Sequence, residues 1–183
     1  MSVSIDKAIE LGVQAGVKEA LDRIEKAKEE RIKHRHDRRL RNTKLLLRNY
    51  NNFKLHCRNA LYTSKQLNDM HAIDILDEVD TIDDETLYVN SIQKTHDRTY
   101  IIVKHINRML LLYEYSAIKS KDENAIRGYK AIKLFYLSLE KKSDDDIAKE
   151  LDVSKRTFYR DIKQAVEELS SLIFGIDGIK LEI

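Results

Sequence analysis

The chain has 183 residues, of which 35% are charged and 42% hydrophobic, and its net charge is only +2. This balance excludes a histone-like binder, so any affinity for nucleic acid must come from the separation of charges along the chain. The single cysteine, Cys57, excludes a disulfide framework and a cysteine-based zinc site within the monomer. No stretch approaches the roughly 18–20 apolar residues that span a membrane.

Proline is absent and only five glycines occur, so long helices can run without interruption. We predict an all-α fold with long N-terminal and central helices and a C-terminal three-helix domain. Because the N-terminus lacks the apolar core of a signal peptide, we expect a cytoplasmic protein. The predicted divisions are an N-terminal helical region with a basic run, an acidic linker, a central long helix and a DNA-binding domain, at residues 1–65, 66–90, 91–122 and 123–183.

Residues 4–30 predict an amphipathic helix, because large aliphatic side chains recur at mostly four-residue spacing. Ala8, Ala15, Gly16 and Ala20 would allow the close approach of a partner. Gly12 and Gly16 form a G-x-x-x-G motif, which is a weak signal outside a membrane. Two interpretations remain open, namely that the helix forms a homodimer or that it packs onto the rest of the same chain. The aliphatic residues are Ile5, Ile9, Val13, Val17, Leu21 and Ile24.

A basic run follows, and residues 23–44 carry ten Lys or Arg against four acidic residues, a local charge of +6. Such a run could track the phosphates of DNA, and the alternative is a solvated linker or helix surface. His34 and His36 are two residues apart and would not share a helix face, so no metal site is expected. The candidate phosphate contacts are Arg31, Lys33, Arg35, Arg38, Arg39 and Arg41.

Three further stretches have helical periodicity, at residues 43–62, 91–119 and 125–140. Cys57 lies on the apolar stripe of the first and is interpreted as a small buried hydrophobic residue. The second is the strongest helix of the chain, and its inward residues include Thr95. The inward residues of the third are Ala125, Tyr129, Ile132, Phe135, Tyr136 and Leu139.

Residues 66–90 contain eight acidic residues and no Lys or Arg. A charged linker is the default interpretation of such a composition. Two functional alternatives are that the segment neutralises the basic run within the same molecule, or that it contacts a basic surface of a partner such as RNA polymerase.

The last part of the chain predicts two helices joined by a tight turn. Ser143 and Asp146 form an S-x-x-D version of the capping box at the start of the first helix. Asp152 tolerates the left-handed backbone that such a turn needs, and Ser154 is a suitable cap for the second helix. Gly175 and Gly178 are expected to close that second helix.

The second of these helices has two faces. Phe158, Ile162, Ala165 and Leu169 form an apolar stripe for the core, whereas basic residues occupy the opposite face. Residues 154–163 contain four basic residues and one acid, Asp161, a charge of +3. This pattern favours a helix-turn-helix that reads DNA, over the alternative of a helical hairpin with a solvated face. The candidate DNA-binding residues are Ser154, Lys155, Arg156, Thr157, Tyr159, Arg160 and Lys163.

Two stretches carry a family resemblance, KLLLRNYNNFKLHC at 44–57 and SDDDIAKELDVSKRTFYRDIKQAVEELSSLIFGIDG at 143–178. Together they resemble the ArpU/RinA-type transcriptional regulators of phages and prophages of Gram-positive bacteria, whose helix-turn-helix is similar to region 4 of sigma factors. The resemblance implies activation of late phage genes in the bacterial host, and DNA contacts from residues 155–157, 159, 160 and 163.

The leading hypothesis is therefore a sequence-specific DNA-binding regulator of transcription, with double-stranded DNA as partner and no cofactor. A small terminase subunit, which joins a helix-turn-helix to oligomerising helices, is the alternative. An enzyme such as a recombinase is not expected, because the early serines lie at the terminus and no carboxylate cluster has the spacing of a metal site.

Overall fold

The computed structural model describes residues 5–57 and 71–175, and these ranges contain eight α-helices and no strand. The predicted all-α fold class is therefore confirmed. A π-helical segment, Lys133–Leu137, extends the sixth helix. The helices are α1 Ile5–Arg48, α2 Tyr50–Cys57, α3 Ala72–Val79, α4 Glu85–Ile92, α5 His96–Ser120, α6 Glu123–Ile132, α7 Asp144–Glu150 and α8 Lys155–Phe174.

Helix α1 is continuous through the basic run, for which the sequence left a linker or a helix surface open. No glycine or proline occurs between Val17 and Arg48, and Lys and Arg are good helix formers, so nothing in the run interrupts the helix. At 1.5 Å per residue its 44 residues span about 66 Å. Leu45, Leu46 and Leu47 near its C-terminal end are buried in the core, whereas its first thirty residues project from it.

The acidic segment is folded, and in this it differs from the predicted linker. Helices α3 and α4 bury apolar side chains that the composition of the segment obscures, while their carboxylates point outward or toward α1. Asp84 caps α4 by accepting a hydrogen bond from the backbone N–H of Leu87 at 2.8 Å. Residues 66–70 of the predicted segment lie outside the described ranges. The buried apolar residues are Ile75, Leu76, Val79, Tyr88 and Ile92.

The central helix begins five residues later than predicted, and the next helix ends earlier. Thr95 does not face the core but caps α5, since its hydroxyl accepts a hydrogen bond from Arg98 N–H at 3.1 Å. After the π-helical segment the backbone of Ser138 is extended, which ends the helix. Leu139 is therefore not inward, as predicted, but 86% exposed.

Helix α8 lies at the centre of the fold and packs against α1, α5, α6 and α7. Its stripe of Phe158, Ile162, Ala165 and Leu169 is buried, as predicted. Gly128 of α6 allows the close packing of α6 on α8, because a Cβ at that position would lie 3.4 Å from the Cβ of Ala165. Cys57, expected to be buried, is partly buried against the same core, and burial raises the pKa of its thiol.

A polar cluster joins α1 to the acidic segment. Arg39 is 5% exposed, and its NH2 group donates to Asp77 Oδ1 at 2.8 Å. Its Nε lies 3.1 Å from Asp80 Oδ1 in an ion pair without hydrogen-bond geometry. Asn42 donates to the same carboxylate of Asp80 at 3.0 Å. Because buried charges are tolerated only with partners, this cluster fixes α3 against α1.

Replacement of Asp80 by alanine is expected to lower the free energy of unfolding by roughly 3 kcal/mol, because the buried Arg39 and Asn42 lose a shared partner. Urea denaturation measures this loss. Asp83→Ala is the matched control, since it removes a carboxylate that is 82% exposed in its pair with Arg41 and should cost less than about 1 kcal/mol. Equal losses for the two variants would contradict the structural importance of the cluster.

Candidate nucleic-acid interface

The turn between α7 and α8 is held by local hydrogen bonds. Asp152 has a left-handed backbone, with φ of 54°, as its position in the sequence predicts. The N–H of Val153 donates to the carbonyl of Ala148 and the N–H of Asp152 donates to that of Lys149, both at 3.0 Å. These two bonds define a Schellman motif, which satisfies carbonyls at the end of α7 and sets the direction in which the chain leaves it.

Both helices are capped by the predicted serines. Ser143 accepts a hydrogen bond from the N–H of Asp146 at 3.2 Å, and Ser154 accepts one from the N–H of Thr157 at 3.1 Å. Thr157 also pairs its hydroxyl with that of Ser154, at 2.9 Å. The start of α8 is therefore rigid, because its cap, its first turn and the preceding turn are all hydrogen-bonded.

Asp161 is the one acid in the basic stretch 154–163, but its side chain faces the core and is 3% exposed. Arg127 of α6 donates from Nε to Asp161 Oδ2 at 2.5 Å, and this hydrogen bond raises the pKa of Arg127. Arg160 adds a second bond to the same carboxylate, at 3.2 Å. The only acid of residues 154–163 is thus buried between Arg127 and Arg160. Among the cations of the outer face it offsets only Arg160.

The outer face of α8 presents six of the seven candidate DNA-binding residues to solvent, and Thr157 is half-buried. A shallow depression of about 440 Å³ lies on this face. Within the described ranges, Arg156 and Lys163 make neither a hydrogen bond nor an ion pair. The residues that line the depression are Arg156, Thr157, Tyr159, Arg160 and Lys163.

Two acidic side chains of α7 contact this face. Asp145 accepts a hydrogen bond from Lys155 Nζ at 3.0 Å, and Asp144 accepts one from the hydroxyl of Tyr159. These hydrogen bonds raise the pKa of Lys155 and that of Tyr159. Lys155 and Tyr159 are donors that a phosphate would use, and the two carboxylates already accept hydrogen bonds from them. A phosphate that binds here must therefore displace the carboxylates.

The basic run of α1 does not join this face. Arg39 stacks over the ring of Phe174 at the C-terminal end of α8, 4.6 Å from its centroid. Phe174 is 18 residues from Arg156, or about 27 Å along the helix. Arg39 therefore lies at the opposite end of α8 from Arg156.

Three of the six predicted phosphate contacts form ion pairs with the acidic segment. Arg39 is buried, which corrects its assignment as a phosphate contact. Arg38 lies 3.7 Å from Asp80, and Arg41 pairs with Asp83 at 3.0 Å. The acidic segment thus neutralises this part of the run within the molecule, one of the two alternatives considered for it. The residues of the run that remain exposed are Arg31, Lys33 and Arg35.

Two features of the site were not recognised in the sequence. Asp161 falls three residues after Phe158 and four before Ala165, so its spacing places it on the apolar stripe, and this signal could have identified it as buried. Arg127 carries no such signal, because its partner is 34 residues away.

Neither a metal site nor a membrane-spanning helix occurs in the part of the chain that the structure describes. No group of three or more His, Cys, Asp or Glu side chains there could hold a metal ion. None of the described helices is long and apolar enough to cross a bilayer.

Comparisons of the chain with family models, with curated proteins and with solved structures found no match.

The left-handed residue of the turn gives a test of its geometry. Asp152→Val should be less stable than Asp152→Gly by about 1–2 kcal/mol, because a side chain branched at Cβ resists positive φ. Thermal or urea unfolding measures the difference. At Lys149, which is helical, the order should reverse, since glycine is the weaker helix former. The same order at both positions would contradict the turn.

Proposed function

We propose that this protein is a sequence-specific DNA-binding regulator of transcription that places the N-terminal half of α8 in the major groove. The observation that carries the proposal is the rigid, exposed and basic face of α8, whose only acid is turned inward. Following the resemblance, we propose that α7 and α8 act as a sigma region 4-like helix-turn-helix on late genes of a phage or prophage.

The side chains of this face suit different roles. Arg156 and Arg160 lie one turn apart, and an arginine can bind O6 and N7 of guanine with both arms of its guanidinium group. Lys155, Lys163 and Tyr159 suit phosphate oxygens, which position a protein without reading sequence. The N-terminus of α8 adds backbone N–H groups and a positive dipole, which favour a phosphate.

The first experiment selects binding sequences from random duplexes with the full chain and then titrates the selected site. Arg156→Ala or Arg160→Ala should weaken binding to that site by roughly 1–3 kcal/mol, while binding to random duplex changes less. Arg108→Ala, an exposed arginine on α5, is the matched control and should bind as the native chain does.

Each outcome of this titration decides a point. Equal losses on selected and random DNA would make the mutated arginine a phosphate contact. Failure to enrich any sequence would contradict sequence-specific binding. Chromatin pull-down in the host then distinguishes the gene targets, since peaks before late genes support a regulator and peaks confined to a packaging site support the terminase alternative.

The two carboxylates of α7 give a second prediction. Asp144→Asn combined with Asp145→Asn should strengthen binding to random DNA about two- to tenfold, because Lys155 loses its ion pair and two negative charges beside the face are removed. Affinity should also fall more steeply with salt. Asp146→Asn removes one charge from the same turn, but Asp146 bonds to Ser143, so its effect should be smaller. If this control gained as much affinity per removed charge as the double variant, the effect would be one of net charge and not of the contacts to Lys155 and Tyr159.

A further inference from the structure

The projecting half of α1 carries an uncovered apolar face. Large aliphatic side chains on this face, which we call the tall row, are all 54–65% exposed, so they do not pack onto the described rest of the chain. Packing onto the described part of the same chain, one of the two interpretations open from the sequence, is therefore not what these residues do. The tall row consists of Ile9, Val13, Val17, Leu21 and Ile24.

A second row runs beside the first and has almost no side-chain bulk. Gly12, Gly16 and Ala20 are spaced four residues apart, and each directly precedes a large residue, Val13, Val17 or Leu21. A Cβ at Gly12 or Gly16 would meet no atom within 4 Å. We call these three small residues the low row. Residues four apart form ridges on a helix surface, so Ile9, Val13, Val17 and Leu21 of the tall row form a ridge and the low row is the shallow strip beside it. Ile24 follows Ala20 by four residues and marks the end of that strip.

We propose that a second copy of this chain binds here, with the two α1 helices parallel and crossing at their N-terminal halves. In a parallel pair related by a two-fold axis, each tall row lies against the low row of the partner. Val17 then faces the partner's Gly16, and Leu21 faces the partner's Ala20. The fit is reciprocal, as an interface between identical copies requires.

The antiparallel arrangement lacks this fit. Its two-fold axis places the tall row against the partner's tall row and the low row against the partner's low row. Large side chains then meet on one side of the interface, and a gap remains on the other. Packing of ridges four residues apart gives a crossing angle near −50°, and small residues at the crossing let the backbones approach closely. The parallel pair also places both folded bodies at the same end of the crossing.

The glycines show why a partner is needed. Glycine is among the weakest helix formers, and most helical stability in proteins comes from the packing of an apolar face. The projecting half of α1 contains two glycines and has no packing within the described chain. A close helix crossing uses both glycines and covers the tall row.

The first test measures the mass of the full chain by light scattering across a concentration series from nanomolar to hundreds of micromolar. The expected particle has twice the 21.5 kDa of one chain. A monomer throughout the series would overturn the proposal, and so would a ring-sized particle. No DNA is present, so this result is independent of the test of the proposed DNA-binding function.

Gly16→Leu distinguishes close helix packing from nonspecific association of exposed apolar surface. It adds apolar area and helix propensity at a position open to solvent in the single chain, so the helical content should be kept or increased. It should nevertheless weaken the dimer at least tenfold, because the leucine fills the low row. Ala15→Leu is the matched control, since it adds the same side chain to an exposed position away from both rows and should leave the dimer unchanged. A dimer that Gly16→Leu strengthens or leaves intact would overturn the proposal.

Disulfide crosslinking tests the orientation. Val13→Cys and Ala20→Cys, each introduced with Cys57→Ser, place one thiol on the central line of the face. Val13 and Ala20 are seven residues apart and lie where the two rows adjoin, so in a parallel dimer each cysteine comes close to its own copy. Both variants should therefore crosslink under mild oxidation. In any antiparallel register at most one of them can, because residues seven apart are separated by about 10 Å along the helix, beyond the reach of a disulfide. Crosslinking of only one variant, or of neither, would overturn the parallel arrangement.

Discussion

The ion pair between Arg127 and Asp161 determines how α8 faces the rest of the molecule. A carboxylate that is 3% exposed needs a cationic partner, because an unpaired buried charge costs several kcal/mol. Arg127 comes from α6, so the pair fixes the rotation of α8 about its own axis. Once Asp161 is turned inward, Arg156 and Lys163 must face solvent. The basic outer face is therefore a consequence of core packing and not only of composition.

Charge pairing elsewhere explains how a chain with a net charge of +2 can present a basic surface. The acidic segment that contains α3 and α4 forms ion pairs with the C-terminal half of the basic run, through Asp77, Asp80 and Asp83. The charges of these carboxylates are therefore neutralised by ion pairs within the fold, near one end of α8. At the other end, Lys155 pairs with the exposed Asp145 of α7, and such a pair is weak and screened by salt. Arg160 pairs with the buried Asp161. Segregation of charge is thus achieved by folding, which brings distant acidic and basic segments together.

The local features of the structure could be predicted from the sequence, and the long-range ones could not. The caps at Ser143 and Ser154 and the left-handed Asp152 depend on contacts within five residues, so their signals are complete in a short window. The apolar stripe of α8 is equally local. By contrast, residues 66–90 contain four buried apolar residues of α3 and α4 among eight acids, and only the contacts of these helices with α1 and α5 show that the segment is folded.

The same limit explains the basic run. Six cations in eleven residues suggest a phosphate-binding surface when read alone. Which of them are exposed depends on Asp77, Asp80 and Asp83, which lie about forty residues away. The sequence also does not show whether the run is helical. Charged residues such as Lys and Arg favour a helix, but a run of them has no apolar periodicity that would indicate one.

The continuity of α1 connects the two proposals physically. A helix is stiff over tens of ångströms, so an unbroken α1 transmits the geometry of its N-terminal crossing to the folded body at its C-terminal end. Leu45, Leu46 and Leu47 embed that end in the core that also holds α8. A parallel crossing therefore relates two α8 helices by a two-fold axis on the same side of the dimer. Two recognition helices related in this way match the symmetry of a palindromic operator, whose half-sites are spaced by the turn of the DNA. A flexible linker in place of α1 would lose that register, and this gives a structural reason for the basic run to be helical.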